Sequence, residues 1–489
     1  ESLSEMSLLS QVSSGTSGGF AINEDENINY IKNNPNLNLT GRNVIIAIAD
    51  TGIDYLHPDF INADGTSKIL YLWDQTKEGN SPEGFYFGTE YTRDDINRAI
   101  SENDSTLSTD EVGSGTLLSG ICAGLGVSNS LYEGIAKDSE LIVIKLGTIE
   151  GKYNNAYYYV ARDYARKKAR ELERPLIINT SVGTNSDVGF INRATQSTIW
   201  YQYGECEIAG IGNEGNTQTH ASGKISAEGE TQTVEIEIEE EEEFLKIELW
   251  ICRPDRVNIK IISPTGEESK DVGLGYYKNE SGIFNFENTT YTVFYVFPTS
   301  YSGQEFITIN LYNASPGIWK INLTGVYINS GCYNVYLPNR SLINQNTRFL
   351  EPDPFYTVNF PTVDRNIFTV GAYDMINNSM WPPSSRGPNI RNIQKPNIVA
   401  PGVNIISAYP HNRYGNITGT SAAAAVTSGV AALFLQYVTQ NNQYKRQGFT
   451  QSIYSFFQLG ADREDNIQYP NFIYGYGLLN ARKIFEEFR

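Results

Sequence analysis

Residues 44–52 carry the sequence Val-Ile-Ile-Ala-Ile-Ala-Asp-Thr-Gly. The first six residues are apolar, and most of them are β-branched. A short apolar run without alternation is typical of a strand buried on both faces of a parallel sheet. Because Asp50 follows the run directly, we expect this strand to end in a functional loop at the edge of the sheet.

The segments that follow alternate between strand and helix patterns. Residues 141–146 and 176–180 predict two more buried strands. Residues 113–125 begin with glycines and continue with small and apolar residues, as a helix packed tightly on a sheet would. Residues 155–172 predict another helix, and Pro175 ends it. The alternation predicts an α/β fold, a parallel sheet with helices on both faces.

A different pattern begins near residue 222. Short runs that alternate apolar and polar residues follow one another up to about residue 345, separated by Pro, Gly, Asn and Ser turns. They predict an inserted antiparallel β-sandwich of the jelly-roll kind, which we expect to be structural and to clamp the α/β domain. The predicted organisation is an irregular lead-in (1–40), a first α/β part (41–221), the insert (222–345) and a second α/β part (346–489).

Composition and charge exclude several classes of protein. Hydrophobic residues make up 40% and charged residues 19% of the 489 residues, which is a globular composition. The net charge of -19 opposes binding to nucleic acid or an anionic bilayer. Apolar stretches 44–49 and 422–435 are shorter than the roughly 20 residues of a membrane-spanning helix, so no membrane span is expected. No signal peptide is visible, and because the chain begins at Glu1, we expect a segment upstream of it.

Metal sites and cofactors have little support in the sequence. The four cysteines show no CxxC or Cys/His pairing, so four buried thiols are expected. Cys252 and Cys332 remain an alternative pair if the compartment is oxidising. The acidic run at 239–243 predicts a solvated turn between two strands, with a calcium site as the alternative. No cofactor is expected.

Three segments carry the chemistry of a serine hydrolase. Asp50 at a strand end could orient an imidazole, and Asn213 in a glycine-rich turn could donate its amide to an oxyanion. Ser421 lies at the start of an alanine-rich helix, where the helix dipole favours negative charge. Each feature alone is an ordinary structural one, but together they point to nucleophilic catalysis.

The residue sequences of these segments resemble those of the subtilase family of serine proteases. The matching blocks are Ala-Asp-Thr-Gly-Ile-Asp at 49–54, Gly-Ile-Gly-Asn-Glu-Gly-Asn at 210–216 and Gly-Thr-Ser-Ala-Ala at 419–423. Further agreement lies at 400–403 and 474–480. The insert and Ser-Ser-Arg-Gly-Pro at 384–388 are most similar to the Csp germination proteases and pseudoproteases of spore-forming clostridia.

By this resemblance the catalytic histidine is missing. Residues 113–120, Gly-Ser-Gly-Thr-Leu-Leu-Ser-Gly, align with the family pattern Gly-His-Gly-Thr-His-Val-Ala-Gly, which places Ser114 at the histidine position. A serine cannot take a proton from another serine at neutral pH, so Ser421 has no general base. Leu117 replaces the family's second histidine, and Ala425 replaces its proline. The resemblance therefore implies a pseudoprotease, with a prodomain upstream of Glu1 that some protease removed.

The rival hypothesis is an active serine endopeptidase with an unorthodox base. The chain has three histidines, His57, His220 and His411, and His220 is the best candidate because its loop is expected to border the cleft. Asp110 and Glu111 precede the helix that begins near Ser114 and offer no clear replacement.

The cleft itself is expected to survive the loss of catalysis. The resemblance assigns one wall to Lys145, Leu146 and Gly147 and the residues up to 151, and another to Ser181, Val182 and Gly183. An extended peptide binds such walls through backbone hydrogen bonds, which need no histidine. The expected partner is a peptide or protein, such as an active Csp relative or the chain's own prodomain, and the expected location is the spore cortex or coat region. A third interpretation makes the insert a glycan-binding module.

Overall fold

The computed structural model describes residues 4–186, 188–189, 202–273, 277–300 and 302–488. Strands before the insert are β1 (Glu5–Leu8), β2 (Gln11–Ser13), β3 (Phe20–Ala21), β4 (Ile45–Asp50), β5 (Ile69–Asp74), β6 (Thr89–Thr92), β7 (Glu140–Lys145), β8 (Thr148–Ile149), β9 (Lys152–Asn154), β10 (Leu176–Thr180), β11 (Val182–Gly183) and β12 (Glu205–Gly210).

The insert and the residues that flank it supply β13 (His220–Lys224), β14 (Thr231–Ile238), β15 (Glu242–Ile251), β16 (Arg256–Ile262), β17 (Tyr277–Phe284), β18 (Thr289–Val296), β19 (Glu305–Ala314), β20 (Gly317–Tyr327), β21 (Cys332–Tyr336) and β22 (Arg348–Phe349). The remaining strands are β23 (Phe368–Asp374), β24 (Ser379–Met380), β25 (Ile398–Pro401), β26 (Ile405–Tyr409) and β27 (Arg413–Thr418). The helices are α1 (Glu26–Lys32), α2 (Arg93–Glu102), α3 (Ser114–Ala123), α4 (Asn155–Glu171), α5 (Thr420–Gln440), α6 (Thr450–Leu459) and α7 (Ala481–Glu486).

The central sheet confirms the predicted α/β class. Its order is β24-β23-β12-β10-β4-β7-β5-β6, with β25 beside β23, and the strands from β5 to β25 through β4 are parallel. Every residue of β4 is buried. Ile46 and Ile48 join the core formed with α3 and α5, whereas Ile45 and Ala47 join the core formed with α4. Both faces are therefore covered by helices, which explains the continuous apolar run.

The insert folds as two antiparallel sheets around one apolar core. One sheet has the order β13-β21-β15-β19-β18-β17 and the other β16-β20-β14-β22. Both contribute to a single buried cluster that includes Ile247, Ile309 and Ile321. The outer face of the six-stranded sheet also contributes Trp250, Phe306 and Tyr336 to the core under α4. The finer assignment to the jelly-roll kind remains a prediction.

The expectation of an irregular lead-in over residues 1–40 is wrong for the described part. Strands β1, β2 and β3 and helix α1 lie within it. Strand β1 pairs with β11 and β9, and β2 pairs with β27. These strands are short and pair only with distant segments, so no local periodicity in the sequence reveals them.

Two of the four cysteines differ from the expectation of four thiols. Cys252 and Cys332 form a disulfide with a Cα–Cα distance of 5.4 Å, and Cys122 and Cys206 are free and buried. The alternative pairing is therefore the one observed. Residues 239–241 of the acidic run form the exposed turn between β14 and β15, and the last two residues of the run begin β15. Buried Glu242 accepts hydrogen bonds from Asn344 and Thr347.

Helix α5 is long and apolar enough to cross a membrane by length and composition. However, 89% of its apolar window is buried within the fold. It packs against α3 and against β10, β12 and β23 of the central sheet. The helix therefore serves as the core element behind Ser421.

Candidate active site

Asp50 ends β4 and is completely buried. Its carboxylate accepts hydrogen bonds from the Ser181 hydroxyl and from the Thr51 backbone N–H at 2.7 Å. Burial raises the pKa of Asp50 to about 6, although the hydrogen bonds from Ser181 and Thr51 oppose the shift. The charged form of Asp50 is thus poorly stabilised, because no cation lies against it among the partners described here.

Ser114 is the first residue of α3 and is also completely buried. The helix approaches the loop after β4 closely, since a Cβ at Gly115 would lie 2.1 Å from the Gly52 carbonyl oxygen. The Ser114 hydroxyl lies 2.9 Å from the Ser10 hydroxyl, and it also contributes a hydrogen bond that lowers the pKa of Asp50. Ser114 thus lies between Asp50 and the N-terminal segment that contains Ser10.

Asp110 organises the start of this helix, a role that the sequence did not reveal. It precedes α3 as expected, yet its buried carboxylate accepts four hydrogen bonds. The donors are the Thr51 hydroxyl at 2.6 Å, the Gly113 N–H at 2.7 Å, the Thr116 N–H at 2.8 Å and the Thr116 hydroxyl at 2.6 Å. All four donors belong to the loop after β4 or to the start of α3, so Asp110 supports the start of the helix rather than acting as a base.

Ser421 lies in the first turn of α5, beside an oxyanion-type site. Its hydroxyl donates to the Leu9 carbonyl oxygen at 2.8 Å, and its backbone N–H donates to the same oxygen at 3.2 Å. The Asn213 side-chain oxygen accepts from the Thr420 N–H at 3.1 Å and the Thr420 hydroxyl at 2.9 Å. This contact fixes the Asn213 amide next to Ser421, with its nitrogen as the group that could donate to an oxyanion.

The cleft is filled by the chain's own N-terminal residues. Strand β1 lies antiparallel between β11 and β9, with Ser7 opposite Gly183 and Met6 opposite Tyr153. Met6 and Leu9 are each 1% exposed. This is strand addition to two walls, the mode expected for a bound peptide, but here the peptide belongs to the same chain.

The carbonyl group of the peptide bond between Leu9 and Ser10 contacts the candidate nucleophile, Ser421. Leu9 donates its backbone N–H to the Ser181 carbonyl oxygen at 2.8 Å, which fixes its carbonyl against Ser421. Gly419 has a φ of 148°, and a Cβ there would lie 2.1 Å from the Leu9 carbonyl oxygen. The bond presented to Ser421 is therefore the one after Leu9.

The two predicted walls of the cleft differ in whether they contact β1. Ser181, Val182 and Gly183 all face β1. Lys145, Leu146 and Gly147 do not pair with it: the Lys145 ammonium contacts Glu111 at 2.8 Å, Leu146 donates its N–H to the Asp50 carbonyl, and Gly147 donates to Gln75. The second wall is instead β9, just beyond the predicted segment, which the hairpin of β8 and β9 places beside β1.

The histidines do not supply a base in the described structure. Contrary to the expectation of a loop bordering the cleft, His220 lies in β13, and its two ring nitrogens contact the Asp353 carbonyl and the Asn334 side-chain oxygen, both at 3.0 Å. Burial lowers the pKa of His220. The ring of His57 is engaged by the Arg413 carbonyl at 2.9 Å and the Asp59 N–H at 3.2 Å. His411 is exposed in the turn between β26 and β27.

Leu117 and Ala425, which replace family residues, are both fully buried in the core of α3 and α5. The Ala425 carbonyl accepts a hydrogen bond from the Cys122 thiol at 3.3 Å. The space around the site is thus filled with small and apolar side chains.

Sequence reasoning also missed Leu9, Ser10 and Asn339. The Asn339 amide donates to the Ser7 hydroxyl at 2.6 Å and its oxygen accepts from the Asn185 N–H at 2.7 Å, so it holds β1 in the cleft. The one local signal was the short apolar cluster at Met6, Leu8 and Leu9 within a polar lead-in.

We expect Asp50→Asn to stabilise the protein above about pH 6 by on the order of 3 kcal/mol. The folded-state pKa of Asp50, about 6, exceeds the value of roughly 3.9 in an unfolded chain. The folded state therefore holds its proton more tightly, and the stability linked to Asp50 falls as pH rises from about 4 to 6. Thermal melting of both proteins at pH 4 and pH 8 measures the difference, which should vanish at the lower pH.

Asp110→Asn is the control for that measurement. Its carboxylate faces four donors, so an amide nitrogen there meets a donor, and the variant should melt lower. Equal melting of Asp50→Asn and the parent at pH 8 would contradict the view that Asp50 is a poorly stabilised carboxylate.

A nucleophile, an oxyanion site and a buried carboxylate at the carboxyl edge of a parallel sheet define a serine-protease-type cleft. The subtilase family (peptidase S8) matches residues 41–239 and 339–477, so this chain belongs to that family. The unmatched residues between these ranges lie within the insert.

Comparison with individual proteins shows more specific similarities. The structure of the CspB protease of Clostridium perfringens matches with a TM-score of 0.85 and 26% identity, covering 95% of this chain and 98% of that one. Serine protease AprX of Bacillus subtilis is 34% identical over 145 residues, which are 26% of this chain and 31% of AprX. A subtilisin of Bacillus sp. strain TA39 is 30% identical over 194 residues, 39% of each chain. The match thus spans well under half of these two curated relatives.

Proposed function

We propose that this chain is a pseudoprotease of the subtilase family, which acts by binding rather than by cutting. The observation that carries the proposal is Ser114 at the start of α3, where its hydroxyl meets Ser10 and Asp50 instead of presenting a base to Ser421. The hydroxyl of Ser421 donates to the Leu9 carbonyl, so it keeps its proton in this arrangement. Without a base the nucleophile is not activated.

We propose further that residues 4–13 are the resident occupant of the cleft. Met6 and Leu9 are buried, and the strand is paired on both sides, so a separate peptide could enter only by displacing it. A protein partner, such as an active relative, would then bind another surface or exchange with this strand. The similarity to the CspB protease supports a role in spore germination and a location in the spore cortex or coat region.

The experiment tests whether the protein cuts its own peptide bond between Leu9 and Ser10. Because the occupant is part of the chain, no added substrate has to reach the cleft. We expect the intact mass of the purified protein to remain unchanged over days between pH 7 and 9, and a serine-directed fluorophosphonate probe to leave Ser421 unlabelled.

Ser421→Ala is the matched control. A cut after Leu9 that disappears in Ser421→Ala would refute the proposal and favour an active endopeptidase with an unorthodox base. A cut that persists in that variant would come from another protease.

A further inference from the structure

An open groove of about 980 Å³ lies between the insert and the outer end of the cleft. Its floor is the outer face of the six-stranded sheet, from β15, β17, β18 and β19. Its rim includes Glu5 of β1 and Lys152 of β9. Neither the pairing of β1 nor the candidate catalytic residues occupy this space.

Two exposed aromatic rings lie on the floor of the groove. Phe244 and Phe294 are each 40% exposed. Their strand neighbours Leu245, Val293 and Tyr295 point into the insert core, so the two rings lie on the opposite, outer face. By strand spacing and register the two positions are roughly 16 Å apart, which is longer than one sugar ring.

Five polar side chains on the floor are neutral. They are amide and hydroxyl side chains from three adjoining strands, and they comprise Asn279, Ser281, Thr292, Thr308 and Asn310. Asn279 and Ser281 are exposed, and the amide of Asn310 donates to the Thr292 hydroxyl at 3.2 Å. Such side chains both donate and accept hydrogen bonds, as a hydroxyl-rich ligand requires.

Each charged side chain among the described residues that line the groove has a partner of opposite sign. Lys152 pairs with Glu5 at 3.0 Å, Lys246 with Glu248 at 2.7 Å, and Glu280 with Lys270 at 2.7 Å. The local charge therefore balances, and the net charge of -19 repels anions from the surface as a whole. An uncharged ligand fits this surface better than an anionic or cationic one.

A peptide fits the floor poorly. Strand β15 pairs with β19 and β21, and β18 pairs with β17 and β19, so the backbone groups of the strands under the two rings are already hydrogen-bonded within the sheet. Strand β17 is the edge strand and lies outside the span between the two rings. Strand addition needs a free sheet edge, and this floor is a sheet face.

We propose that the groove binds a neutral oligosaccharide of several sugar rings. The C–H faces of the sugars would stack on Phe244 and Phe294, and their hydroxyls would exchange hydrogen bonds with the amides and hydroxyls between the two rings. Rings exposed on a rigid sheet are already positioned, so binding orders few side chains.

The test is a calorimetric titration of the full chain with chitohexaose and with cellohexaose, both neutral. We expect binding of at least one of them, and at least a tenfold loss of affinity in Phe294→Ala and in Phe244→Ala. Phe286→Ala is the matched control, because Phe286 is 82% exposed and lies outside the groove, and its affinity should equal that of the parent.

Three results would overturn the proposal. They are the absence of binding to both sugars at millimolar concentration, binding that Phe294→Ala and Phe244→Ala leave unchanged, and tighter binding of anionic polygalacturonate than of either neutral hexasaccharide. Equal melting temperatures of the variants and the parent would establish that any loss of affinity is local.

Discussion

Ser114→His alone is expected to restore no more than about a hundredth of the activity of an ordinary subtilase. In subtilisin, a member of the same family, loss of the histidine lowers turnover on the order of 10⁶-fold, so a well-placed base would produce a large gain. The new imidazole would have Asp50 on one side and Ser421 on the other. Catalysis, however, requires the base within roughly 2.6 to 3.2 Å of the nucleophile.

The surroundings of residue 114 oppose such placement. Ser114 is completely buried, and its hydroxyl already meets Ser10, so an imidazole must move this chain segment or tilt away from it. Leu117, one turn along α3, is packed in the apolar core, and Ala425 leaves a regular helix where the family has proline. A displacement near 1 Å lowers the rate by about a hundredfold.

The readout is the rate of cutting after Leu9, followed by intact mass. The triple variant Ser114→His, Leu117→His, Ala425→Pro should cut faster per folded molecule than the single variant, although a polar ring at position 117 in an apolar core should lower its stability. Ser421→Ala in each background is the control. If Ser114→His alone reached ordinary subtilase activity, the surroundings of residue 114 would be shown to accept a well-placed base, and our view that they oppose it would be wrong.

The sequence predicted those parts of the site that depend on local patterns. The buried run before Asp50, the glycines before α3 and the alanine-rich start of α5 each fix one element, and parallel strands bring such ends to one edge. The replacement at Ser114 could be recognised because the neighbouring residues at 113–120 still match the family pattern.

The parts of the site that the sequence did not predict depend on contacts between distant segments. Strand β1 has only four residues, and it is held by β9 and β11 about 150 to 175 residues away, so no periodicity could indicate it. His220 was expected beside the cleft because of its place in the sequence, but pairing of β13 with β21 turns both ring nitrogens to partners within the insert and its border.

Trp250→Ala is expected to lower the free energy of unfolding by about 3 to 5 kcal/mol, because it removes one of the large side chains that join the insert to the α/β domain. Trp250 is completely buried, and its ring lies 4.3 Å from that of Phe306 between centroids. Gly189 packs so closely on it that a Cβ there would lie 2.3 Å from the ring. Urea unfolding measures the loss, and Phe286→Ala, on an exposed turn of the same insert, should unfold like the parent.

Hydrogen exchange distinguishes a clamp from a merely local defect. If the insert stabilises the α/β domain, Trp250→Ala should speed amide exchange in α4 and β10, whose apolar side chains share the core with Trp250, as well as in β15. Faster exchange confined to β15, β19 and β21 would show that the insert is an independent module. Stability would then be divided between two cooperative units, and the α/β domain would hold β1 in its cleft without support from the insert.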